Sequence, residues 1–429
     1  MGSERVSIPG CDVQAERPRP DAASQVDAYG QHFDLEVIRD AARFYALKDE
    51  WDALWSRANG HHHQAFSVCW LSWVHTAQAR GRRLCCITVR QENRLVLVWP
   101  LVSYRQLLWT MLRPLTPDTA EHSAMLTADD GLRVDAITQA WQAAMKQCRA
   151  DAMVLPYVDG DTPLYRLAAA QPGLMVAVKG TTSTARLRAE KDWPTFCATL
   201  GNLGKKKPDA RERRLAKEGQ LVVRALGPGD AAEFPAWVDW LVARKREWVE
   251  RGDKRAGWLE TAGYRNYLLD LLNSADPDAQ GRLFVITLNG APAAASIIGL
   301  GTTCVNGLIT GFDENLAKFG PGLIVVEHCV RWALEHQKDF DFGVGAERFK
   351  TYWSRDVATA TWSFEIATTW WGRVAVPAKQ GWYRIQPLIG RWGVSGLQRR
   401  IPRTHAAVDE AADVKATQAA RRSTNLSTE

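Results

Sequence analysis

The chain has 429 residues, of which 46% are apolar and 24% are charged, as in folded globular proteins and unlike disordered ones. Its net charge of +6 is too small to indicate a nucleic-acid-binding protein by itself. No run approaches the roughly 18–20 uninterrupted apolar residues of a membrane-spanning helix. The first residues also lack the charged start and apolar run of a secretory signal. We therefore expect a cytosolic protein that is long enough for two domains.

Metal and disulfide chemistry are not expected. The eight cysteines are scattered without a Cys-x-x-Cys pair, so they predict reduced, mostly buried thiols. His61, His62 and His63 are consecutive, so their side chains point in different directions, and no acidic residue is adjacent in sequence. They predict a loop, and no metal site. The nineteen tryptophans favour core packing, with a lipid- or sugar-binding cleft as the alternative.

The first part of the chain predicts a domain over residues 33–185, preceded by an unstructured segment, 1–32, that has no hydrophobic periodicity. Its predicted elements are helices at Leu35–Trp55 and Ser67–Ala79, strands at Leu84–Val89 and Leu95–Val102, a helix at Val134–Cys148 and a strand at Ala152–Leu155.

Residues 205–218 carry seven cationic side chains against three acidic ones, and Pro208 suits the first turn of a helix. One interpretation is a solvated helix. The other is a platform for a phosphorylated substrate, such as coenzyme A, a nucleotide-sugar or an anionic lipid head group. On that second interpretation Lys206, Arg213 and Arg214 bind substrate.

The strand and helix order of the first part is repeated further along the chain. Strands are predicted at Arg282–Leu288, Ala291–Leu300 and Thr303–Phe312, and Asn289-Gly290 predicts a hairpin between the first two. A helix follows, with Leu323, Val326, Val330 and Ala333 on one face. The repeated order predicts two related domains.

Gly320-Pro321-Gly322 precedes this helix. A helix that opens on a glycine loop presents backbone N–H groups and the positive end of its dipole, which suit a phosphate. An ordinary turn is the alternative. Further on, Asp341, Glu347 and Lys350 lie among Gly343, Gly345 and several aromatic residues. Charged side chains just past a strand end usually face a ligand crevice, and a solvated turn with an ion pair is again the alternative.

The segments GFDENLAKFGPG (311–322) and FDFGVGAERFKTYW (340–353) resemble GNAT-type acyltransferases. The resemblance is to the cellulose-biosynthesis-associated (CelD-like) branch and, more distantly, to Fem-type peptidoglycan aminoacyltransferases. It implies an α/β (α+β) fold of two tandem GNAT-like domains, each a mixed central sheet flanked by helices. The second domain, 186–371, would be catalytic, and the first would wall the acceptor site.

The resemblance also implies a site that takes acyl-CoA as co-substrate. Lys318, Gly320, Gly322 and Leu323 would hold its phosphates, although the Gln or Arg that usually begins this loop is replaced by Ala317. For acyl transfer to an amine, the candidate proton acceptors are Glu347 and Asp313. Tyr352 is the candidate acid for the departing thiolate. The expected substrate-binding residues are Asp341, Lys350, Trp353, Lys206, Arg213 and Arg214.

Residues 372–405 contain no Asp or Glu, and seven cations alternate with aromatic and aliphatic residues. Such a segment suits an anionic membrane surface, with a packed final helix as the alternative. Residues 406–429 predict a disordered tail.

The expected function is transfer of an acyl group from acyl-CoA to an amine on an envelope or exopolysaccharide precursor. Three alternatives stay open. They are a Fem-type transferase that uses aminoacyl-tRNA, an N-acyltransferase of a long-chain amine, and a non-catalytic partner of polysaccharide synthesis.

Overall fold

The fold is taken from a computed structural model that describes residues 25–26 and 32–374, with gaps at 118, 120–121, 128–132, 204–206, 252–256, 260, 276–279 and 346. Lys206, the tail 406–429, and most of the predicted segments 1–32 and 372–405 lie outside these residues. Gln25 and Val26, in the segment expected to be unstructured, form a short strand.

The strands, numbered in chain order, are β1 Gln25–Val26, β2 His32–Ile38, β3 Arg83–Gln91, β4 Arg94–Gln106, β5 Trp109–Pro114, β6 Leu126–Thr127, β7 Ala152–Asp159, β8 Leu174–Ala185, β9 Leu221–Leu226, β10 Gly281–Leu288, β11 Ala291–Leu300, β12 Cys304–Phe312, β13 Asp339–Val344 and β14 Ala358–Ala367. The helices are α1 Ala41–Tyr45, α2 Lys48–Arg57, α3 Phe66–Ser72, α4 Arg133–Gln147, α5 Pro163–Ala169, α6 Trp193–Thr199, α7 Ala210–Leu215, α8 Phe234–Arg251, α9 Ala262–Leu272, α10 Pro321–Glu335 and α11 Arg348–Trp353.

The predicted duplication is confirmed by the topology. In the first half, the hairpin β3–β4 leads to β5, which is parallel to β7 across the helix α4. In the second half, the hairpin β10–β11 leads to β12, which is parallel to β13 across α10. Asn289 and Gly290 both have positive φ, at 53° and 79°, as a two-residue hairpin turn of this kind requires.

The two halves exchange their last strands. β14, from the second half, pairs with β7 of the first, and β8, from the first half, pairs with β13 of the second. β8 and β14 also pair with each other. The described strands therefore form one mixed sheet in the order β1-β2-β3-β4-β5-β7-β14-β8-β13-β12-β11-β10-β9, with β6 beside β4.

Helices cover both faces of this sheet. On one face, α4 and α5 cover the first half, and α6, α7, α10 and α11 cover the second. On the other face, α1–α3 and α8–α9 share a single apolar core that joins the halves. Trp51, Trp55, Trp73 and Trp237 are buried in that core, which is the packing role favoured for the tryptophans.

The helix expected at Leu35–Trp55 is wrong in its first part. Residues His32–Ile38 form β2, which pairs with β3 from Phe33 to Ile38. Phe33, Leu35 and Val37 alternate and pack on the α4 side of the sheet, the period-2 pattern of a strand. Helix begins only after Asp40, whose side chain accepts a hydrogen bond from the Arg43 N–H.

None of the helices in the described part of the chain is long and apolar enough to cross a bilayer.

Candidate functional site

A gap opens between the parallel strands β12 and β13. They pair only where Cys304–Asn306 faces Asp339–Asp341. Past Asn306, β12 carries a bulge at Leu308, where the register with β11 shifts, and a bulge bends the strand that carries it. Backbone groups that face such a gap are available to a ligand, since the neighbouring strand no longer pairs with them.

The glycine loop lies at the end of β12. Gly320 has φ of 70°, so the chain makes a left-handed turn before Pro321 begins α10. A Cβ on Gly322 would come within 2.9 Å of the Phe312 ring, so this glycine lets the helix pack directly on β12. The Leu323 N–H donates to the Gly320 carbonyl at 3.0 Å. The positive end of α10 is thereby fixed beside the gap.

The basic helix α7 packs against this loop. The Arg214 Nη1 donates to the Lys318 carbonyl at 3.1 Å, and the Arg214 guanidinium lies 5.0 Å from the Phe319 ring. The Lys318 ammonium lies 4.8 Å from the same ring. Arg211 is close enough to Gly320 that a Cβ there would meet its Cδ at 3.4 Å. Two segments predicted separately to bind phosphate therefore meet, with Arg213 exposed on the same helix.

A polar network, not anticipated from the sequence, holds α7 against α10. The buried Glu327 accepts a hydrogen bond from the Asp209 N–H at 2.6 Å, and Arg331 pairs with Asp209 at 2.5 Å. His328 and Glu212 pair at 2.8 Å. Burial raises the pKa of Glu327 to about 7, although the hydrogen bond from the Asp209 N–H acts to lower it. The sequence signal for this network was Glu327 itself, because it is a charged residue on the apolar face of the predicted helix.

Tyr352, expected to protonate the thiolate, lies beside this network. Its hydroxyl is 3.4 Å from the Gly201 carbonyl, to which it donates. Burial raises the pKa of Tyr352 to about 12, with Glu327 adding to the effect. Burial lowers the pKa of the Arg211 guanidinium, whereas Glu327 and Tyr352 act to raise it. Tyr352 is therefore a protonated hydroxyl near the cationic end of the site.

Lys350 and Glu347 bond within the turn that carries them. The Lys350 Nζ donates to the Val344 carbonyl at 2.5 Å and lies 3.0 Å from the Glu347 Oε2. The Lys350 side chain is buried, whereas that of Glu347 is half exposed. Gly345, which directly follows Val344, has φ of 124°. These contacts favour a structural role for Lys350, while Glu347 can still accept a proton from solvent or substrate.

Two other expected site residues have evident structural contacts. Trp353 is 2% exposed and packs against Trp193 and Phe196, with ring centroids 5.8 and 6.3 Å away. Asp313 accepts a hydrogen bond from the Asn315 N–H at 3.0 Å and so begins the 3₁₀ turn Glu314–Phe319. Asp313 therefore shapes the glycine loop.

Asp341 lies where β12 and β13 separate, on the face opposite α10, since the flanking Phe340 and Phe342 pack under α10. It is 6% exposed and accepts hydrogen bonds from the Thr182 hydroxyl at 3.1 Å and the Gly343 N–H at 2.8 Å. The Asn306 amide donates to its other oxygen at 3.3 Å. Asp341 is thus a fixed carboxylate at the apex of the gap.

His122, together with two of the three consecutive histidines, lies near Asp341. The His122 Nε2 is 3.7 Å from the Asp341 Oδ2, and the rings of His61, His63 and His122 follow one another in a row. The acidic residue near these histidines comes from a distant part of the chain, which no local pattern reveals. Among the described residues, no group of His, Cys, Asp or Glu side chains is arranged to hold a metal ion.

The second half of the chain is similar to a known family of domains. Residues 205–351 match the model of the acetyltransferase (GNAT) domain. This range includes α7, the glycine loop, the gap and the turn that carries Glu347 and Lys350. No curated protein sequence is similar enough to this chain to count as a match.

Several solved structures are similar to this chain. A crystal structure of FemX has a TM-score of 0.50 at 12% identity, over 75% of this chain and 96% of that one. The C-terminal domain of a putative lysylphosphatidylglycerol synthetase from Agrobacterium fabrum has a TM-score of 0.48 at 10% identity, over 80% and 98%. A tandem GNAT protein from the clavulanic acid biosynthesis pathway has 0.45 at 14%, over 78% and 99%. At these identities the likeness is one of fold. The chain contains a GNAT acetyltransferase domain, within a fold of two tandem GNAT-like halves.

Proposed function

We propose that this protein transfers an acyl group from acyl-CoA to an amine on an envelope or exopolysaccharide precursor. The observation that carries the proposal is the gap between β12 and β13, which opens beside the N-terminus of α10 and the cations of α7. A thioester with a phosphorylated carrier suits this arrangement, because phosphates favour the cationic loop while the acyl carbon enters the gap.

The donor and the acceptor would approach from opposite faces of the sheet. The loop at Lys318–Gly320, with Arg211 and Arg214, lies on the α10 face and would hold the donor phosphates. Backbone N–H groups of β12 past Asn306 would stabilise the developing oxyanion. Asp341 lies on the other face, where the first half of the chain supplies the wall. The acceptor amine would bind there.

Thiol release tests this function. The full chain would be mixed with acetyl-CoA or palmitoyl-CoA and with glucosamine, ethanolamine or lysine, and free thiol would be followed with a thiol-reactive dye. We expect amine-dependent thiol release for at least one pair. No release above the rate without protein, for any pair, would contradict the proposal.

A second candidate is a transferase that takes its group from aminoacyl-tRNA. The observation in its favour is the exposed cationic surface of α7 at Arg213 and Arg214, which suits an RNA backbone as well as a pyrophosphate. Retention of aminoacyl-tRNA that weakens steeply with salt, without binding of coenzyme A, would favour this candidate. No thiol release with any donor and amine would favour a non-catalytic role, while the CelD-like branch and transfer to a long-chain amine stay proposals.

We also propose that the protein acts at the inner face of the membrane. Leu108 and Trp370 are 62% and 79% exposed, and they flank the stacked Trp109 and Trp371, whose ring centroids are 5.4 Å apart. The basic, aromatic residues from 375 onward follow directly in the sequence. Apolar side chains beside cations suit an anionic bilayer surface. Vesicle co-sedimentation of the full chain and a version ending at Trp371 tests this.

A further inference from the structure

The connection between α2 and α3 fixes three histidines against the second half of the chain. The Gly60 carbonyl accepts hydrogen bonds from the Thr302 N–H at 3.2 Å and from its hydroxyl at 3.1 Å. His62 is 1% exposed, and its Nδ1 lies 3.1 Å from the Leu300 carbonyl. With His62 anchored in this way, His61 and His63 are held at the start of β12.

The neighbouring rings form a row that leads to the gap. His61 and His63 stack with centroids 5.7 Å apart, and His63 and His122 stack at 6.3 Å. The His122 Nδ1 lies 3.4 Å from the Asp159 Oδ1, and its Nε2 lies 3.7 Å from the Asp341 Oδ2. The row therefore ends at the carboxylate where β12 and β13 separate.

His61 is the most exposed member of the row. Its side chain is exposed, yet burial is the largest effect on its pKa and lowers it. Both observations hold for a side chain that reaches solvent while protein surrounds it on its other sides. Asp341 and Asp159 act to raise this pKa, and His122 and Arg186 act to lower it, with a net lowering. His61 is therefore a neutral imidazole at neutral pH, with a ring nitrogen able to accept a proton.

We propose that His61 is the general base that takes the proton from the acceptor amine, and that Asp341 stabilises the imidazolium that forms. This proposal rests on the proposed acyl transfer. The ammonium form of the acceptor loses one proton to the imidazole, and its nitrogen then attacks the thioester carbon. A C–N bond forms, the C–S bond breaks, and the second nitrogen proton goes to the thiolate. The products are an amide and coenzyme A, and the imidazolium returns its proton to solvent.

The pH dependence of kcat/KM for thiol release tests this assignment. We expect an acidic limb with an apparent pKa below 6.5, because the base is active only when neutral. His61→Ala should remove this limb and slow turnover by about 10²-fold or more. His122→Gln should keep the limb but move it to higher pH, because one ring that disfavours the imidazolium is lost. His75→Ala is the control, since His75 pairs with Asp270 of α9, and it should behave as wild type.

A second readout does not depend on turnover. The ring-proton resonance that disappears in His61→Ala should titrate below 6.5 in the wild type and at higher pH in His122→Gln. Wild-type rates in His61→Ala would overturn the proposal, as would a limb that survives in His61→Ala and disappears in His122→Gln. If the wild type releases no thiol, the proposed function itself fails and the assignment of the base fails with it.

Discussion

Asn306 and Asp341 occupy the last paired position of the parallel strands β12 and β13, and the Asn306 amide donates to the Asp341 carboxylate at 3.3 Å. Beyond this pair the strands separate. The contact therefore sets the apex of the gap and holds a carboxylate there, which places Asp341 between the proposed donor loop on one face and the histidine row on the other.

Lys350→Ala separates a structural role for this lysine from a role in binding substrate. Its buried ammonium donates to the Val344 carbonyl, and removing it leaves that carbonyl without this donor. We expect a loss of about 1–3 kcal/mol in the free energy of unfolding, measured by urea denaturation, with unchanged affinity for coenzyme A. Glu347→Gln, at the exposed end of the pair, serves as the matched variant and should cost less than 1 kcal/mol. Unchanged stability with weakened binding in Lys350→Ala would restore the substrate role.

Glu327→Gln should stabilise the protein above neutral pH. Because the pKa of Glu327 is raised to about 7, the folded state holds this proton more tightly than the unfolded state. The wild type therefore has its full stability below about pH 4.5 and loses part of it as the pH rises through 7. Glutamine keeps an oxygen for the Asp209 N–H and carries no charge. The gain should grow from pH 5 to pH 8, to about 3 kcal/mol at most. A pH-independent difference would contradict the assignment.

His62 should make the protein sensitive to acid. Burial lowers the pKa of His62 to about 4, so the unfolded chain takes up a proton near pH 6.5 while the folded chain does not. The stability contributed by the neutral ring is therefore complete above pH 6.5 and is lost as the pH falls towards 4. Thermal melts across this range should show the decline. His62→Gln lacks this ring, so its thermal stability should decline less steeply as the pH falls.

Gly299→Ala tests the packing that positions the same histidine. A Cβ at Gly299 would lie 2.4 Å from the His62 ring, and the buried ring has little room to shift. We expect a loss of about 1–3 kcal/mol in the free energy of unfolding. Gly229→Ala is the control, because a Cβ there meets nothing within 4 Å. Equal stability of the two variants would show that His62 is not held against Gly299.

The duplicated order of elements was predictable because its signals are local. Asn289-Gly290 marks the hairpin, and an almost continuous apolar run marks the strand Ala291–Leu300, which the structure reproduces residue for residue. The exchange of β8 and β14 was not predictable. Each strand pairs with a strand from the other half, and hydrophobic periodicity shows where a strand is but not which strand lies beside it.

The donor side and the histidine side of the candidate site also differ in how far the sequence reveals them. Gly320 and Arg214 each lie in segments with their own sequence signals, so the glycine loop and the basic helix could be identified from the sequence alone. His61 and Asp341 are 280 positions apart in sequence, and only the folded chain brings the carboxylate close enough to act on the pKa of the imidazole. The hydrogen bond from the buried Lys350 ammonium to the Val344 carbonyl is a contact that the sequence does not indicate, because it depends on how the turn folds.

Binding of coenzyme A is the most direct test of the proposed donor site. Titration calorimetry of coenzyme A into the full chain should show one site per chain, with affinity that falls as salt is raised. Arg214→Glu, which reverses a charge beside Lys318, should weaken binding by about tenfold or more. Lys217→Glu makes the same charge change at an exposed position just past α7 and should have a smaller effect. Equal weakening by both variants, or no binding of coenzyme A by the wild type, would contradict the proposed donor site.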